Sequence, residues 1–253
     1  MEFEAEIIPF TNWTNPRYCS DCMPVVEAER KSAHARLISI HAERHRQKAI
    51  QAAGLQRAHL EVPPIRLSPQ QQEAQEAVSR VLSGESLGAA LWGPPGTGKS
   101  LMASRAILRR IDREIDAWTN DCIEADDLKA EPMISVRYVA ARDIALAARA
   151  SYSAVETELS VLDGFARAGF LVVDDVGAEK LSPHSLSCLL HVVDARWSQR
   201  RPLLVTSNLR PSQIAARIAE AEDEIAARRL VDRLADLEWI HVDGDSWRGR
   251  KAR

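Results

Sequence analysis

The chain has 253 residues, of which 45% are hydrophobic and 27% are charged, and its net charge is -3 at pH 7. The length fits one α/β domain with a small addition, and the composition is typical of soluble globular proteins. This net charge excludes a nucleic-acid-binding protein with an overall basic surface, so any contact with DNA has to come from a local basic patch. The acidic N-terminus is unlike a signal or transit peptide, and the absence of a run of about 18 apolar residues argues against a membrane span. Because four cysteines do not form a disulfide framework, we expect a reducing, cytoplasmic setting.

Residues 1–62 predict a small, mainly helical N-terminal region. Residues 25–60 contain no proline and are rich in alanine, glutamate, arginine and glutamine, which indicates a helix. Its apolar stripe is thin and its charge is mostly positive, so we expect a helix that projects and meets a partner. A solvated helix without a partner is the alternative. The sequence VPPI at residues 62–65 breaks this helix, and the second region is expected to span residues 63–253.

Two cysteines in the N-terminal region, Cys19 and Cys22, have the spacing of half a zinc site. His41 and His45 are four residues apart and share a helix face, which makes them candidates for the other ligands together with His34. The separation from Cys22 to His41 is longer than in a standard zinc finger, and no second cysteine pair follows. Two buried or free thiols beside a solvated histidine face are the alternative.

Several further elements are predicted from caps and periodicity. Ser68 and Gln71 flank Pro69 in the pattern of a capping box, which predicts the start of a helix. Residues 112–131 are strongly acidic and are expected to form a surface insertion without a calcium-binding pattern. A strand is predicted over residues 134–139, and helices are predicted over residues 140–152, 182–197 and 212–227.

Residues 87–100 read LGAALWGPPGTGKS, in which an apolar strand pattern leads into glycines, a lysine and a serine. The spacing of Gly93 from Gly98-Lys99-Ser100 is that of a phosphate-binding loop, and a helical pattern follows it. Glycine permits the positive φ angles that turn backbone N–H groups toward phosphate oxygens. Lys99 would contact the β- and γ-phosphates and Ser100 would ligate Mg²⁺, while the helix dipole adds positive potential. The residues expected to bind the nucleotide here are Gly93, Pro94, Pro95, Gly96, Thr97, Gly98, Lys99, Ser100 and Leu101.

Two later strands are predicted to end in polar residues near this loop. The sequence FLVVDD places Asp174 and Asp175 at the end of a buried strand, which is the Walker B pattern. Asp174 would hold Mg²⁺, and Asp175 would orient or deprotonate the attacking water. The strand within RPLLVTSN ends at Asn208, whose amide would polarise the γ-phosphate or hold that water. A simple Ser-Asn turn is the alternative for Asn208.

Five motifs together, in this order and spacing, resemble a known family: GPPGTGKS, LVVDDVG, LLVTSNL, RRLVDRL and GDSWR. They are similar to the AAA+ ATPases of the DnaC-type helicase-loader group, which includes phage loaders and the IstB-type transposition helpers. The resemblance covers about residues 64–248. It implies an α/β fold, an αβα sandwich with a central parallel sheet, preceded by the helical N-terminal region. In that family the N-terminal region grips the replicative ring helicase and often contains a zinc site.

The resemblance also implies roles for individual residues. Asn208 matches the sensor-1 residue, and Arg229 matches the arginine finger that reaches the ATP of a neighbouring subunit. Arg248 matches the sensor-2 arginine that contacts ATP in its own subunit. Arg228 and Arg233 are nearby rivals for the finger, and solvated surface arginines are the alternative.

The function implied by the resemblance is an ATPase that loads a ring helicase onto single-stranded DNA. The implied cofactors are ATP, Mg²⁺ and, at the N-terminal cysteines and histidines, zinc. ATP would drive self-association into a spiral or ring of subunits. An IstB-type helper that grips duplex DNA is the first alternative, and a P-loop nucleotide kinase and an ATP-binding adaptor without catalysis are the others. The short segment after Asn208, with no helix-turn-helix domain following, argues against a replication initiator of the same superfamily.

Overall fold

A five-stranded parallel sheet lies at the centre of the part of the chain that the structure describes, with the strand order β2-β3-β4-β1-β5. The computed structural model describes residues 23–55, 67–150 and 157–244. No helix within these three ranges is long and apolar enough to span a membrane. The elements are α1 (Met23–Ala53), α2 (Pro69–Ser83), β1 (Gly88–Trp92), α3 (Lys99–Ala125), β2 (Val136–Ala140), α4 (Ala141–Ala150), α5 (Glu158–Arg167), β3 (Phe170–Asp174), α6 (Pro183–Ser198), β4 (Leu203–Ser207), α7 (Pro211–Ala219), α8 (Glu224–Ala235) and β5 (Glu238–His241).

The central strands are buried on both faces, which produces three layers. Side chains of a strand alternate between the two faces of the sheet. Phe170 and Val172 of β3 pack in one apolar cluster with residues of α2 and α3. Leu171 and Val173 of the same strand pack in a second cluster with residues of α4, α6 and α8. The predicted αβα sandwich with a central parallel sheet is therefore confirmed.

The strand order brings the three predicted polar strand ends to one edge of the sheet. β4 lies between β1 and β3, with Val205 paired to Ala90 on one side and to Val173 on the other. The strands are parallel, so the residues that follow β1, β3 and β4 meet at their carboxyl ends. In open α/β sheets this is the edge at which ligands bind.

The boundaries of the predicted elements are largely confirmed. Ser68 caps α2, because its hydroxyl accepts from the backbone N–H of Gln71 while the Gln71 side chain accepts from the N–H of Ser68. The single helix predicted over residues 212–227 is wrong, since α7 ends at Ala219 and α8 begins at Glu224. The Asp223 carboxylate caps α8 by accepting from the backbone N–H of Ala226. The break between the two helices was not predicted because the alanine-rich sequence keeps its helical pattern across it.

Helix α1 lies along α3 instead of projecting. Ile38 of α1 is buried in a small apolar cluster with Trp118 and Cys122 of α3. Further along α1, Ala49 and Ala53 are buried in the core cluster on one face of the sheet. The apolar stripe predicted from the sequence was Val26, Ala33, Leu37 and Ile40, but Ala33 and Ile40 are exposed, so a different face of α1 makes this contact.

The acidic segment at residues 112–131 is the electrostatic partner of α1. Most of it continues α3, which extends to Ala125, so it is not a separate insertion. Arg30 is 2.5 Å from the Asp126 carboxylate and Arg46 is 2.7 Å from that of Asp112. Lys48 is 2.6 Å from the Glu131 carboxylate. The basic helix and the acidic segment therefore neutralise each other, although each of these exposed pairs contributes little to stability because water and salt screen it.

A substitution in the α1–α3 seam tests whether apolar packing holds α1 in place. Ile38 is 1% exposed, so Ile38→Ala should destabilise the contact by about 2–5 kcal/mol. Amide hydrogen exchange should then accelerate in α1 before it does in the sheet. Ile40→Ala is the matched control, because Ile40 is on the same helix and is 66% exposed. Equal exchange rates in α1 for the two variants would contradict the packing account.

Candidate functional site

The phosphate-binding loop leaves β1 at Gly93 and enters α3 at Lys99, as the sequence predicts. Three of its glycines have positive φ angles, 149° at Gly93, 90° at Gly96 and 93° at Gly98. A Cβ atom on Gly93 would lie 2.1 Å from the backbone oxygen of Val242, so only glycine fits at this position. The loop therefore has the backbone shape that directs N–H groups inward at the start of a helix.

Lys99 is held inside the loop. Its Nζ atom donates to the carbonyl oxygens of Gly93 and Pro94, each at 2.8 Å, and the side chain is buried. Thr97 stabilises the loop from within, because its hydroxyl donates to the same Pro94 carbonyl at 3.0 Å. A buried ammonium group in the curve of such a loop is suited to bind β- and γ-phosphate oxygens.

The carboxylate of Asp174 joins two strand ends and the first turn of α3. Ser100 Oγ donates to Asp174 Oδ1 at 2.9 Å, and the hydroxyl of Thr206 on β4 donates to the same oxygen. Carboxylate and hydroxyl oxygens are ligands that Mg²⁺ accepts, and Mg²⁺ in such sites is bound by one or two protein groups with the phosphates. Ser100 and Asp174 therefore fit the predicted metal site, and when bound the ion would neutralise charge on the phosphates.

Asp175 and Asn208 form a second pair directly beside the first. Asn208 Nδ2 donates to Asp175 Oδ1 at 2.8 Å, so the two residues predicted to act on water are in contact. Asp175 has a φ of 59°, and its backbone N–H donates to Thr206 Oγ1 at 2.9 Å. A positive φ at a non-glycine residue is strained, and such strain persists where the surroundings hold the residue in place.

The pKa of Asp175 is raised above its ordinary value. Burial is the largest cause, and the negative charge of Asp174 adds to it, while Lys99 acts in the opposite direction. A carboxylate with a raised pKa is a better proton acceptor at neutral pH than an ordinary aspartate. Such perturbed carboxylates in a cleft are typical of catalytic sites.

Two residues of the site were not predicted from the sequence, Thr206 and Tyr138. Thr206 contacts both carboxylates, and its position two residues before Asn208 in VTSN was the available signal. Tyr138 lies on β2 with its hydroxyl near Asp174, Ser100 and Ser104. Burial, followed by the charge of Asp174, raises the pKa of Tyr138, so it remains a neutral phenol at physiological pH. Nothing in its strand pattern distinguishes it from a core tyrosine.

The C-terminal segment returns to the phosphate-binding loop. The backbone N–H of Val242 donates to the Trp92 carbonyl, and Gly244 lies against the side chain of Gln71. Gln71 in turn donates from Nε2 to the carbonyl of Thr97 at 3.0 Å. Arg248 lies outside the described residues, and its predicted contact with ATP stays a prediction.

Arg229 lies on the outer surface of α8, in an ion pair with α6. Its Nη2 atom donates to Asp194 Oδ2 at 2.9 Å, and Arg233 Nε donates to the other oxygen of that carboxylate at 2.8 Å. Arg233 also covers the ring of Trp197, whereas the Arg229 side chain is 53% exposed. Arg228 is exposed beside it. The structure therefore separates the three arginines by how firmly each is held.

The histidines of the predicted N-terminal zinc site contact α3 and the acidic segment. His41 and His45 have ring centroids 6.1 Å apart, and His45 packs edge-on against Trp118. His45 Nδ1 is also 3.7 Å from the Glu131 carboxylate. Cys19 and Cys22 lie outside the described residues, so this zinc site stays a prediction.

Comparison with known proteins finds one matching family model and several similar structures. Residues 131–253 match the family model described as IstB-like ATP binding protein. No curated protein matches the chain. The structure is similar to that of DnaI, with a TM-score of 0.58 and 18% identity over 77% of this chain and 95% of that one. It is also similar to the DnaC helicase loader, with a TM-score of 0.51 and 16% identity over 71% of this chain and 94% of that one.

A third similar structure is AMPPCP-bound DnaA from Aquifex aeolicus, with a TM-score of 0.55 and 18% identity. The match covers 72% of this chain but 49% of the DnaA chain, so this chain spans about half of that protein. At these identities the likeness shows the fold, and the family model adds a similarity of residues 131–253 to an IstB-like ATP binding protein. The chain therefore has the fold seen in DnaI and in the DnaC helicase loader, and its residues 131–253 are similar to the IstB-like family.

Proposed function

We propose that the protein hydrolyses ATP with Mg²⁺ at the edge of the sheet formed by the ends of β1, β3 and β4. The observation that carries this proposal is the presence of two hydrogen-bonded pairs, Ser100 with Asp174 and Asp175 with Asn208, at the ends of neighbouring elements. The first pair supplies metal ligands, and the second supplies a carboxylate of raised pKa held by an amide. The loop with Lys99 positions the phosphates between them, and the site residues from Gly93 to Leu101 bind the nucleotide.

We propose further that ATP hydrolysis serves to load a replicative ring helicase onto single-stranded DNA. The support is the fold shared with DnaI and with a DnaC helicase loader over nearly the whole of those chains. A related DnaA structure was solved with AMPPCP and single-stranded DNA, which supports the same nucleic-acid partner. In this proposal residues 1–62 bind the helicase and residues 63–253 form the ATPase.

A second candidate function is that of a transposition helper ATPase that binds duplex DNA. The matching family model, an IstB-like ATP binding protein, favours it directly. The phosphate-binding loop and the Walker B carboxylates would serve both functions equally. The two candidates differ in the DNA that stimulates the ATPase and in whether a ring helicase is bound.

We also propose that Arg229 completes the ATP site of a neighbouring subunit. Arg229 is more exposed than Arg233, which is tied to both Asp194 and Trp197. Ile225 is 76% exposed one turn earlier on the same helix, so an apolar side chain lies beside the arginine on this surface. A second copy of the chain that covers this face would bury Ile225 and receive the guanidinium, which stabilises charge on the transferring phosphoryl group.

The partner assay tests the loader proposal directly. The full chain is mixed with the replicative ring helicase of the organism that encodes it, with ATP and either single-stranded or duplex DNA. A loader should bind the helicase in the presence of ATP, and single-stranded DNA should stimulate its ATPase. Stimulation by duplex DNA without helicase binding would instead favour the transposition helper. ATP hydrolysis that responds to neither DNA nor helicase would contradict both.

Substitution of Asp175 tests the assignment of the water-activating group. Asp175→Asn keeps Ser100 and Asp174 for Mg²⁺ but removes the proton acceptor, so turnover should fall about 100-fold or more. ATP affinity measured by calorimetry should remain close to that of the parent chain. Glu179→Gln is the matched control, because this nearby carboxylate is exposed and interacts with Arg142. Turnover of Asp175→Asn within a factor of about two of the control would contradict this role.

Mixing two inactive variants tests whether Arg229 acts across subunits. Arg229→Ala retains its own nucleotide site but lacks the finger, whereas Lys99→Ala retains the finger but has an impaired site. In a mixed assembly one finger can complete the other site, so activity should exceed that of either variant alone. Even partial recovery of the ATP hydrolysis rate should be measurable, because such arginines accelerate phosphoryl transfer by about 1,000-fold or more.

Arg233→Ala is the matched control in the mixing experiment, because Arg233 shares the Asp194 carboxylate but is held by Trp197. It should not be rescued by Lys99→Ala if its role is structural. If intact mixed assemblies of Arg229→Ala and Lys99→Ala are as inactive as the separate variants, Arg229 does not act in trans. Arg228 would then be the next residue to test.

A further inference from the structure

Three side chains with different metal-binding atoms converge between α5 and α6, outside the ATP site. They are Glu158 in the first turn of α5 and His184 and Cys188 of α6. Their ligand atoms lie within 4.8 Å of one another. His184 and Cys188 are four residues apart on α6, so they share one face of that helix. Glu158 precedes His184 by 26 positions and Cys188 by 30 positions in the sequence, and no known motif includes the three residues.

We propose that Glu158, His184 and Cys188 bind a divalent metal ion of the zinc class. Carboxylate oxygen, imidazole nitrogen and thiolate sulfur are the three ligand types that zinc takes in proteins. Three protein ligands leave a fourth position of the tetrahedron for water. The Glu158 and His184 side chains are 27% and 29% exposed, so solvent reaches that position while Cys188 is 2% exposed.

The distances between the ligand atoms are close to those around a tetrahedral ion. Cys188 Sγ is 3.5 Å from Glu158 Oε1 and 4.0 Å from His184 Nδ1, and that nitrogen is 3.7 Å from Glu158 Oε1. With zinc bonds of ordinary length at tetrahedral angles, the same three separations are about 3.3–3.6 Å. The side chains need to close by only about 0.5 Å or less, which small changes in their torsions supply.

The charges of the cluster also suit a divalent cation. The Cys188 thiol donates to Glu158 Oε1 at 3.5 Å in the described structure, so it carries its proton there. Binding replaces that proton: the S–H bond breaks, a metal–sulfur bond forms and one proton is released to solvent. The thiolate and the Glu158 carboxylate then balance the two positive charges of the ion. Arg149 is the cation that acts on the thiol from α4.

An ion bound at this cluster would affect the groove that contains Asp174 and Asp175. α6 begins at Pro183, shortly after the Walker B strand ends at Asp174. Ser185, one residue after His184, lines a groove that also contains Asp174 and Asp175. A bound ion would fasten the first turn of α6 to α5 and so restrain one wall of this groove.

Titration with Co²⁺ tests the proposal, because cobalt replaces zinc and reports a thiolate ligand by a charge-transfer absorption band. The full chain carries the substitutions Cys19→Ser and Cys22→Ser, so that the predicted N-terminal site does not contribute. One Co²⁺ per chain should produce the band and release about one proton. Zn²⁺ should displace the cobalt and raise the melting temperature.

Three variants define the ligands. Cys188→Ala should abolish the band, and His184→Gln should weaken binding by about 100-fold or more, since even second-shell losses weaken it 10–100-fold. His191→Gln is the matched control, because His191 is on the same helix and is paired with Asp163 of α5 at 3.2 Å. It should bind cobalt as the parent chain does.

The result that would overturn the proposal is a folded parent chain, verified by circular dichroism, that shows no thiolate band with Co²⁺. Persistence of the band in Cys188→Ala would overturn it equally. If Cys188→Ala fails to fold, His184→Gln decides the matter, because the His184 side chain is partly exposed and its loss leaves the core intact. Binding in that variant at parental affinity would exclude the site.

Discussion

The carboxylate of Asp174 is the point on which the site depends. It accepts hydrogen bonds from Ser100 at the start of α3 and from Thr206 at the end of β4, while it terminates β3 itself. One charged group thereby fixes three elements that are far apart in sequence. A hydrogen bond to a charged group is stronger than one between neutral groups, contributing about 1.5–3 kcal/mol. The adjacent Asp175 is held by the same Thr206, so both carboxylates are positioned by one hydroxyl.

The sheet topology explains why these residues meet. Because β4 is inserted between β1 and β3, its polar end lies between the phosphate-binding loop and the Walker B carboxylates. Asn208 follows that strand and reaches Asp175, while the loop after β1 holds Lys99. The C-terminal segment passes the same loop at Val242 and Gly244, where it contacts Gln71 of the capping box. Gln71 of α2 and the segment after β5 thus both lie beside the phosphate-binding loop.

The sequence predicted the parts of the site whose chemistry is local. The loop from Gly93 to Ser100 and the strand end at Asp174 are contiguous motifs, and the structure assembles them as expected. Thr206 and Tyr138 were not predicted, because their roles depend on neighbours from other elements of the fold. A single hydroxyl residue in a strand pattern does not indicate whether it belongs to a site.

The position of α1 was not predictable for a related reason. The thin stripe predicted from the sequence did not include Ile38, which is the buried residue, and the acidic segment was interpreted without its basic partner. Charge complementarity between distant segments becomes visible only when the fold brings Arg46 to Asp112. The cluster of Glu158, His184 and Cys188 was not predictable for the same reason. Its members come from α5 and α6, which precede and follow β3 in the chain and meet only in the fold.

A crystal structure of the full chain with Mg²⁺ and a non-hydrolysable ATP analogue tests the central claim most directly. The account predicts Lys99 Nζ on β- and γ-phosphate oxygens, Ser100 Oγ on the metal ion, and Asp174 within reach of that ion through water. Asp175 and Asn208 should then face the γ-phosphate. A nucleotide bound away from the phosphate-binding loop, or a metal ion that neither Ser100 nor Asp174 approaches, would contradict the account.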